Sequence, residues 1–174
     1  KSDYSGQILI NDKDINTLNV DKLRKYISYI PQHPKLFDRT LYENIIYGLE
    51  DNIPQEEEIY KLLEKANLDD VAKKFKKIMH DKVGKNGNKI SGGQRQIVWL
   101  VRSLLKDTRM IILDEPTSSL DEFNSRKVIA LIEELSKKRN IILITHDQKV
   151  LQNMTRIIEL EKGKIIADKK LDSS

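Results

Sequence analysis

Three short apolar runs limit what this chain can fold into more than any other feature: residues 97–101, 110–113 and 141–144. The second and third are rich in isoleucine, and the stretch between them, residues 122–138, has the apolar spacing of an amphipathic helix. Buried strands that alternate with amphipathic helices are typical of a parallel sheet with helices on its faces. No run approaches the roughly 20 apolar residues that span a bilayer. Any membrane connection must therefore come through a partner or another segment.

The composition narrows the class of protein further. A length of 174 residues suits a single domain. The formal charge of +4 arises from 31 basic and 27 acidic residues of interspersed sign, which does not require a nucleic-acid partner. The lack of cysteine excludes disulfides, cysteine-ligated zinc and a cysteine nucleophile. Because the chain begins with Lys1 and not with methionine, we expect it to be a piece of a longer protein.

The region between the second predicted strand and Met110 is almost purely helical. Thr40 and Glu43 have the spacing of a capping box, and helices are predicted at residues 55–66, 70–79 and 92–105. The other predicted elements are a strand at 7–11 with a turn at 11–14, a helix at 20–25 after Asn19, strands at 26–31, 110–114 and 141–145, a helix at 148–153, and a hairpin at 156–160 and 164–168. We infer one domain over residues 1–174, with an α/β core of residues 1–38 and 108–174 and a helical subdomain of residues 39–107.

Two carboxylates directly follow the buried strand that begins at Met110. Asp114 and Glu115 lie at the carboxyl end of this strand, where open α/β sheets bind their ligands. Side chains alternate along a strand, so the two carboxylates are expected to point to different sides. One can then hold Mg²⁺ while the other orients a water for attack on a phosphate. The alternative is an ordinary turn, since Asp-Glu-Pro also ends strands.

Ser91, Gly92, Gly93 and Gln94 open the long helix predicted at residues 92–105. Adjacent glycines let the backbone approach a ligand closely, and the amides of a first helical turn attract anions. The alternative is that Ser91 and Gln94 merely form a capping box. Under that alternative we expect Gly93→Asp to leave the fold unharmed, because acidic residues are favourable in the first turn.

Two further polar residues follow predicted strands. His146 comes just after the strand at 141–145, and it can reach the same ligand as Asp114 if the two strands are neighbours. A histidine with a purely structural role is the alternative. Gln32 follows the strand at 26–31 and says little by itself.

Taken together and in order, these motifs resemble those of the nucleotide-binding domain of ABC transporters, over about residues 5–168. By this resemblance Gln32 is the Q-loop glutamine, residues 90–94 are the signature motif with isoleucine in place of leucine, residues 110–114 are the Walker B strand, Glu115 is the catalytic glutamate, residues 118–121 are the D-loop, and His146 is the switch histidine. Residues 36–45 and 83–87 resemble the exporter branch, although Lys85 replaces the acid usually found before the signature.

The resemblance implies a P-loop NTPase-like fold and an ATPase that powers export across a membrane, with ATP and Mg²⁺ as cofactors. The implied catalytic residues are Glu115, His146 and Gln32, the implied Mg²⁺ ligands are Asp114 and Gln32, and the implied ATP contacts are Ser91, Gly92, Gly93, Gln94 and Asp121. The implied partners are a second nucleotide-binding domain, bound head to tail, and transmembrane domains. The chain would then lie at the cytoplasmic face of a membrane, and no nucleic acid is expected.

One expected motif is not found among the 174 residues. No segment reads Gly-x-x-x-x-Gly-Lys-Ser/Thr, the Walker A loop that cradles phosphates. We therefore expect the N-terminal strands and the Walker A helix to be missing from this chain, and the isolated chain to hydrolyse ATP negligibly. Their absence predicts exposed apolar surface and unpaired backbone on the core sheet. The segment can lie elsewhere in the protein, have been cut off, or be truly absent.

Two other functional classes stay open from the sequence. A non-transport ABC ATPase acting on DNA or ribosomes would carry the same core motifs, although the exporter-like segments and the lack of a long coiled-coil insertion argue against it. A nucleotide-silent regulatory or interaction fragment would account for the absent Walker A loop.

Overall fold

The structure is a computed structural model that describes residues 5–50, 52–106, 108–152 and 154–171. Three positions used in the sequence analysis lie outside these ranges: Lys1, the predicted subdomain boundary at residue 107, and Asn153 at the predicted end of a short helix. Of the helices in the described ranges, none is long and apolar enough to cross a membrane.

The chain alternates between strands and helices much as its apolar pattern predicts. The first half contains β1 (Leu9–Ile10), β2 (Lys13–Asp14), α1 (Val20–Tyr26), β3 (Ile27–Ile30), α2 (Leu41–Ile45), α3 (Glu56–Lys65), α4 (Asp69–Ile78) and α5 (Gly92–Leu105). The second half contains β4 (Met110–Asp114), α6 (Glu122–Ser136), β5 (Asn140–Ile144), α7 (Gln148–Leu151), β6 (Arg156–Glu161) and β7 (Lys164–Lys170). The predicted turn at 11–14 is shorter than expected, because Lys13 and Asp14 pair back onto β1 and only Asn11 and Asp12 turn, both with positive φ.

The core sheet is parallel, as predicted, with the strand order β3-β4-β5. The register pairs Ile30 with Leu113 and Asp114 with Ile144, so that the carboxyl ends of all three strands meet at one edge. The residues that follow the three strands, Gln32, Glu115 and His146, are therefore brought to the same edge.

The two faces of this sheet differ sharply in exposure. On one face Ile30, Ile111 and Leu113 are completely buried in the hydrophobic core that includes residues of α5 and α6. On the opposite face Tyr29, Ile142 and Ile144 are 53%, 47% and 50% exposed. Among the residues that the structure describes, no strand pairs with the outer edge of β5. Exposed apolar surface and an open strand edge are what the missing Walker A segment predicts.

A buried arginine joins helix α5 to helix α2. Arg102 donates from Nε to the carbonyl oxygen of Asn44 at 2.9 Å, and its guanidinium carbon lies 4.8 Å from the ring centroid of Trp99 and 5.5 Å from that of Tyr47. Burial lowers the pKa of Arg102 to about 10. Aromatic faces and a carbonyl, which are favourable surroundings for a cation, hold this side chain in place. The contact fixes the orientation of α5, whose first turn carries the Ser91–Gln94 motif.

The start of α5 packs directly against α6. A Cβ added at Gly93 would lie 3.0 Å from Cγ of Asn124 and 3.1 Å from its Cβ and Oδ1, whereas one at Gly92 would meet nothing closer than 3.7 Å. Asn124 cannot move freely, because its backbone N–H and Nδ2 both donate to the Asp121 carboxylate. Position 93 is therefore tight: a side chain there must displace Asn124, which argues against the expectation that Gly93→Asp leaves the fold unharmed.

We predict that alanine substitutions at these two neighbouring glycines have opposite effects on stability. Gly92→Ala should raise the free energy of unfolding by about 0.4–1 kcal/mol, because it restricts the unfolded chain and its Cβ meets Arg95 and Leu120 only at ordinary van der Waals distances of 3.7 and 4.0 Å. Gly93→Ala should lower it by about 1–3 kcal/mol, because the new methyl group overpacks against Asn124. Urea denaturation of the two variants measures this difference, and equal effects at both positions would contradict the packing described here.

Candidate functional site

Glu115 leaves strand β4 in an unusual backbone conformation. Its φ is +46°, in the left-handed region that non-glycine residues rarely adopt. Its N–H donates to the carbonyl oxygen of Ile144 on β5 at 2.8 Å, and its own carbonyl accepts from the Ser118 hydroxyl at 3.1 Å. Backbone strain of this kind costs about 1–3 kcal/mol and clusters at functional sites. The contacts with β5 and Ser118 hold the Glu115 side chain at the sheet edge.

The two oxygens of the Glu115 carboxylate differ in their hydrogen bonding. Oε1 lies 2.8 Å from Nδ1 of His146, whose side chain is 78% exposed, while that of Glu115 is only 20% exposed. Oε2 is buried and has no hydrogen-bond partner among the described residues. The hydrogen bond and the negative charge of Glu115 raise the pKa of His146. The pair thus offers one anchored carboxylate oxygen and one oxygen free to accept a hydrogen bond.

Asp114 points away from Glu115, as the alternation of a strand predicts. Its Oδ2 accepts a hydrogen bond from the Tyr29 hydroxyl at 3.0 Å, and this bond raises the pKa of Tyr29. Sequence reasoning did not single out Tyr29. Its contact depends on the register between β3 and β4, which pairs Tyr29 with Ile112 and puts Asp114 one step further along the same face. An apolar strand pattern gives no information on that register.

Gln32 is anchored at the same edge through its amide nitrogen. Nε2 donates to the Ser118 hydroxyl at 3.1 Å, and Oε1 accepts no hydrogen bond from the described residues. Carboxylate and amide oxygens are the ligands that Mg²⁺ prefers, and a Mg²⁺ that also binds substrate phosphates needs only one or two such protein ligands. No group of three or more His, Cys, Asp or Glu side chains in the described ranges could enclose a metal. The oxygens of Asp114 and Gln32 therefore fit a Mg²⁺ shared with phosphate, and not a cage made by the protein alone.

The Ser91–Gln94 motif forms the predicted capping box. Ser91 Oγ accepts from the Gln94 N–H at 3.2 Å, and Gln94 Oε1 accepts from the Ser91 N–H at 2.9 Å. Ser91 is exposed and Gly92 is half-buried, while Gly93 and Gln94 are buried. The capping box uses the Ser91 hydroxyl only as an acceptor and does not use the N–H of Gly92, so capping and ligand binding are compatible in this geometry.

Asp121, the fifth residue that the resemblance assigns to ATP, begins helix α6. Its carboxylate accepts from the N–H of Asn124 at 2.9 Å and from Nδ2 of the same residue at 2.7 Å. These hydrogen bonds lower the pKa of Asp121. The side chain is exposed but already engaged as a helix cap, so a contact with ATP stays a prediction.

Gln32 also connects the sheet edge to the signature region. A cleft of about 320 Å³ is lined by Gln32, Gly92, Ser119 and Leu120, among others, and lies beside the sheet-edge cluster of Asp114, Glu115 and His146 without including it. A larger cavity of about 650 Å³, lined by Arg24, Lys25, Glu50 and Lys106, lies at the opposite ends of the strands and contains none of the predicted site residues. The site geometry therefore favours the smaller cleft and the adjacent sheet edge.

We predict that Glu115→Gln returns the pKa of His146 toward its ordinary value of about 6.5, because a neutral amide no longer stabilises the imidazolium. The His146 contact should stabilise the folded chain fully below about pH 6.5, and this contribution should be lost as the pH rises through the raised pKa of the folded state. Titration of the His146 ring proton by NMR, assigned with His146→Gln, checks the pKa, and urea denaturation between pH 5 and pH 9 checks the stability. A His146 pKa that is the same in both proteins would contradict the contact.

Comparisons with known proteins show which family this chain resembles. A family model described as ABC transporter matches residues 1–118. The ATP-dependent lipid A-core flippase of Francisella novicida is 34% identical over 163 residues, which cover 94% of this chain and 27% of the flippase. The flippase of the same description from Bordetella avium is 37% identical over 161 residues, covering 92% of this chain and 27% of that protein.

The chain thus spans about a quarter of the length of these flippases. The ABC-type transporter fsqE of Aspergillus fumigatus is 35% identical over 170 residues, covering 94% of this chain and 13% of that protein. A solved structure of a bacterial Atm1-family ABC exporter with ATP bound superposes with a TM-score of 0.83 at 27% identity, over 96% of this chain and 29% of that one. The parallel sheet, the ordered motifs and the family match lead to one conclusion: this chain belongs to the ABC transporter family.

Proposed function

We propose that this chain is the larger part of the ATP-hydrolysing domain of an ABC exporter, and that ATP hydrolysis at its sheet edge drives export of a substrate across a membrane. The contact between Glu115 and His146 at the ends of neighbouring parallel strands carries this proposal. Family membership and the exporter relatives support it. The identity of the exported substrate lies with other segments of the protein.

Glu115 is the group that acts on the attacking water. His146 orients the carboxylate through Oε1. Oε2, which is buried and has no hydrogen-bond partner among the described residues, is the oxygen that would take the proton of the attacking water once the bound nucleotide brings that water into the site. A general base must lie within hydrogen-bond distance of the proton it takes, in a fixed orientation. His146, whose pKa is raised by Glu115, carries a positive charge over a wider pH range and can donate from its exposed Nε2 to the γ-phosphate.

Mg²⁺ would be held by Asp114 and by the free Oε1 of Gln32, and when bound it neutralises charge on the phosphates that react. The Asp114 carboxylate accepts a hydrogen bond from the Tyr29 hydroxyl through Oδ2. The Gln32 amide keeps its position through Ser118, whose hydroxyl in turn donates to the Glu115 carbonyl. The same short turn thus orients the Mg²⁺ ligand Gln32 and the base Glu115.

The second half of each ATP site comes from another nucleotide-binding domain, bound head to tail. In this chain the surface offered to the partner's ATP is the exposed start of α5, formed by Ser91 and Gly92. Gly93 and Gln94, which the resemblance also assigns to ATP, are buried here and support this surface by letting α6 approach and by capping the helix. Asp121 is proposed to contact the partner through its exposed side while it caps α6.

The transmembrane partner requires a docking surface that is apolar yet exposed. Phe37 and Tyr47 form such a surface, because both side chains are exposed and their ring centroids are 4.4 Å apart. The guanidinium of the buried Arg102 packs on the ring of Tyr47. Tyrosine and arginine are among the residue types enriched at the energetic centres of protein interfaces. We place this surface against the transmembrane domains, at the cytoplasmic face of the membrane, and assign no nucleic-acid partner.

We predict that Glu115→Gln in the complete exporter lowers ATP turnover at least a hundredfold and leaves ATP binding within about twofold of the parent. The amide keeps the size and one hydrogen-bonding oxygen of the glutamate but cannot take a proton. Phosphate release under saturating MgATP measures turnover, and equilibrium binding of a fluorescent ATP analogue measures affinity. A variant that keeps most of its turnover would move the base to another residue.

The isolated 174-residue chain serves as the comparison for this experiment. It should show negligible ATP turnover with or without Glu115→Gln, because no lysine and amide loop among its residues surrounds the β- and γ-phosphates. Robust turnover that Glu115→Gln removes from the isolated chain would mean that the chain binds the phosphates by other residues.

We predict that Gly92→Asp prevents ATP-dependent dimerisation of the complete nucleotide-binding domain, including its Walker A segment. A carboxylate at this half-buried position beside the exposed Ser91 would face the phosphates of the partner's ATP, and we expect the dimer to weaken at least tenfold through like-charge repulsion. The fold should survive, since position 92 has room for a side chain and an acid suits the first turn.

Sedimentation in a Glu115→Gln background, with and without ATP, measures this dimer. Val20→Asp is the matched control, because it adds the same charge at the exposed first residue of α1, away from the site. If Gly92→Asp still dimerises with ATP as well as Val20→Asp does, Ser91–Gln94 is only a helix cap.

A further inference from the structure

Tyr29 makes a polar contact with Asp114, the carboxylate proposed to bind Mg²⁺. Its hydroxyl donates to Oδ2 of Asp114 at 3.0 Å, although its side chain is more than half exposed and could satisfy the hydroxyl with water. The other carboxylate oxygen of Asp114, Oδ1, has no hydrogen-bond partner among the described residues. One oxygen of this carboxylate is thus held and the other is free.

The strand register explains why a tyrosine is needed here. Tyr29 lies opposite Ile112, and Asp114 is two residues further along β4 on the same face, so the two residues are diagonal neighbours. The Tyr29 side chain is long enough to span this diagonal, since its hydroxyl reaches Oδ2 of Asp114 at 3.0 Å. A serine or threonine would be too short to reach, and a phenylalanine would span the distance without a donor.

We propose that Tyr29 is a positioning residue for Mg²⁺ binding, which acts by fixing the plane of the Asp114 carboxylate so that Oδ1 faces the metal. This inference rests on the proposed function, because it takes Asp114 as a Mg²⁺ ligand. Groups that hydrogen-bond to a metal ligand restrict its orientation, and their loss typically weakens metal binding about 10- to 100-fold. Tyr29 itself contacts no reacting atom.

The test uses the complete exporter with Glu115→Gln, so that ATP is bound but not hydrolysed. Mn²⁺ binding in the presence of ATP, measured by electron paramagnetic resonance, reports metal affinity independently of activity. Tyr29→Phe removes only a hydroxyl and keeps the aromatic ring, so the fold should be retained. We expect Tyr29→Phe to raise the Kd for Mn²⁺ about tenfold.

Tyr26→Phe is the matched control. Tyr26 is an exposed tyrosine three residues earlier, and its hydroxyl makes no hydrogen bond in the described part of the chain. It should leave the Kd for Mn²⁺ unchanged. In the hydrolysing protein, Tyr29→Phe should raise the Mg²⁺ concentration for half-maximal turnover by the same factor, with kcat at saturating Mg²⁺ within about twofold of the parent.

The outcomes separate this inference from the proposed function. If Asp114→Asn weakens Mn²⁺ binding and Tyr29→Phe does not, Asp114 is a ligand and Tyr29 has no positioning role, which overturns the inference alone. If Asp114→Asn also leaves Mn²⁺ binding unchanged, the metal assignment fails together with the inference. A loss of turnover in Glu115→Gln with normal Mn²⁺ binding in Tyr29→Phe would leave the proposed function standing without it.

Discussion

The pairing of β4 with β5 in parallel register is the constraint on which the rest of the site depends. It sets Asp114 beside Ile144, and the ladder continues one step beyond the strand through the bond from the Glu115 N–H to the Ile144 carbonyl. That extra bond holds Glu115 in its left-handed conformation. Its acceptor, Ile144, is only two residues before His146. A shift of register by one residue would turn Glu115 away from His146, since successive residues on a strand face opposite sides.

The same register divides the sheet into a buried face and an open face. Ile111 and Leu113 pack into the core with the helices, while Tyr29, Ile142 and Ile144 stay exposed. Asp114 stands on the open face, next to the apolar surface that the family's Walker A segment is expected to cover. A Mg²⁺ ligand at the margin of such a surface would be excluded from bulk water once the surface is covered, which strengthens its electrostatic interactions.

Local sequence signals were sufficient to predict most elements of the fold and the meeting of Gln32, Glu115 and His146 at one edge of the sheet. Thr40, Ser91 and Asn19 cap their helices as their side chains predict, and the apolar runs give the parallel strands. The signals failed where a contact joins elements distant in sequence. Local sequence does not distinguish Gly93 from Gly92, because only the packing of α6 makes position 93 tight. Nor does it distinguish Tyr29 from other strand residues, because only the register brings Tyr29 to Asp114. Helix capping and strand alternation are local properties, whereas packing distance and register are not.

The two adjacent glycines of the signature show how one motif can meet two physical requirements. Gly93 is small because α6 packs on it, and α6 is held in that position by Asp121 and Asn124 at its first turn. The turn that leads to Asp121 starts at Ser118, which hydrogen-bonds both Glu115 and Gln32. The signature and the catalytic glutamate are therefore linked by a continuous series of short contacts within one chain. Under the proposed function, these two groups serve different ATP molecules in the head-to-tail dimer. The packing at Gly93 then fixes the spacing between the two ATP sites, while Gly92, whose neighbours lie no closer than 3.7 Å to a Cβ, is left to meet the partner's phosphates.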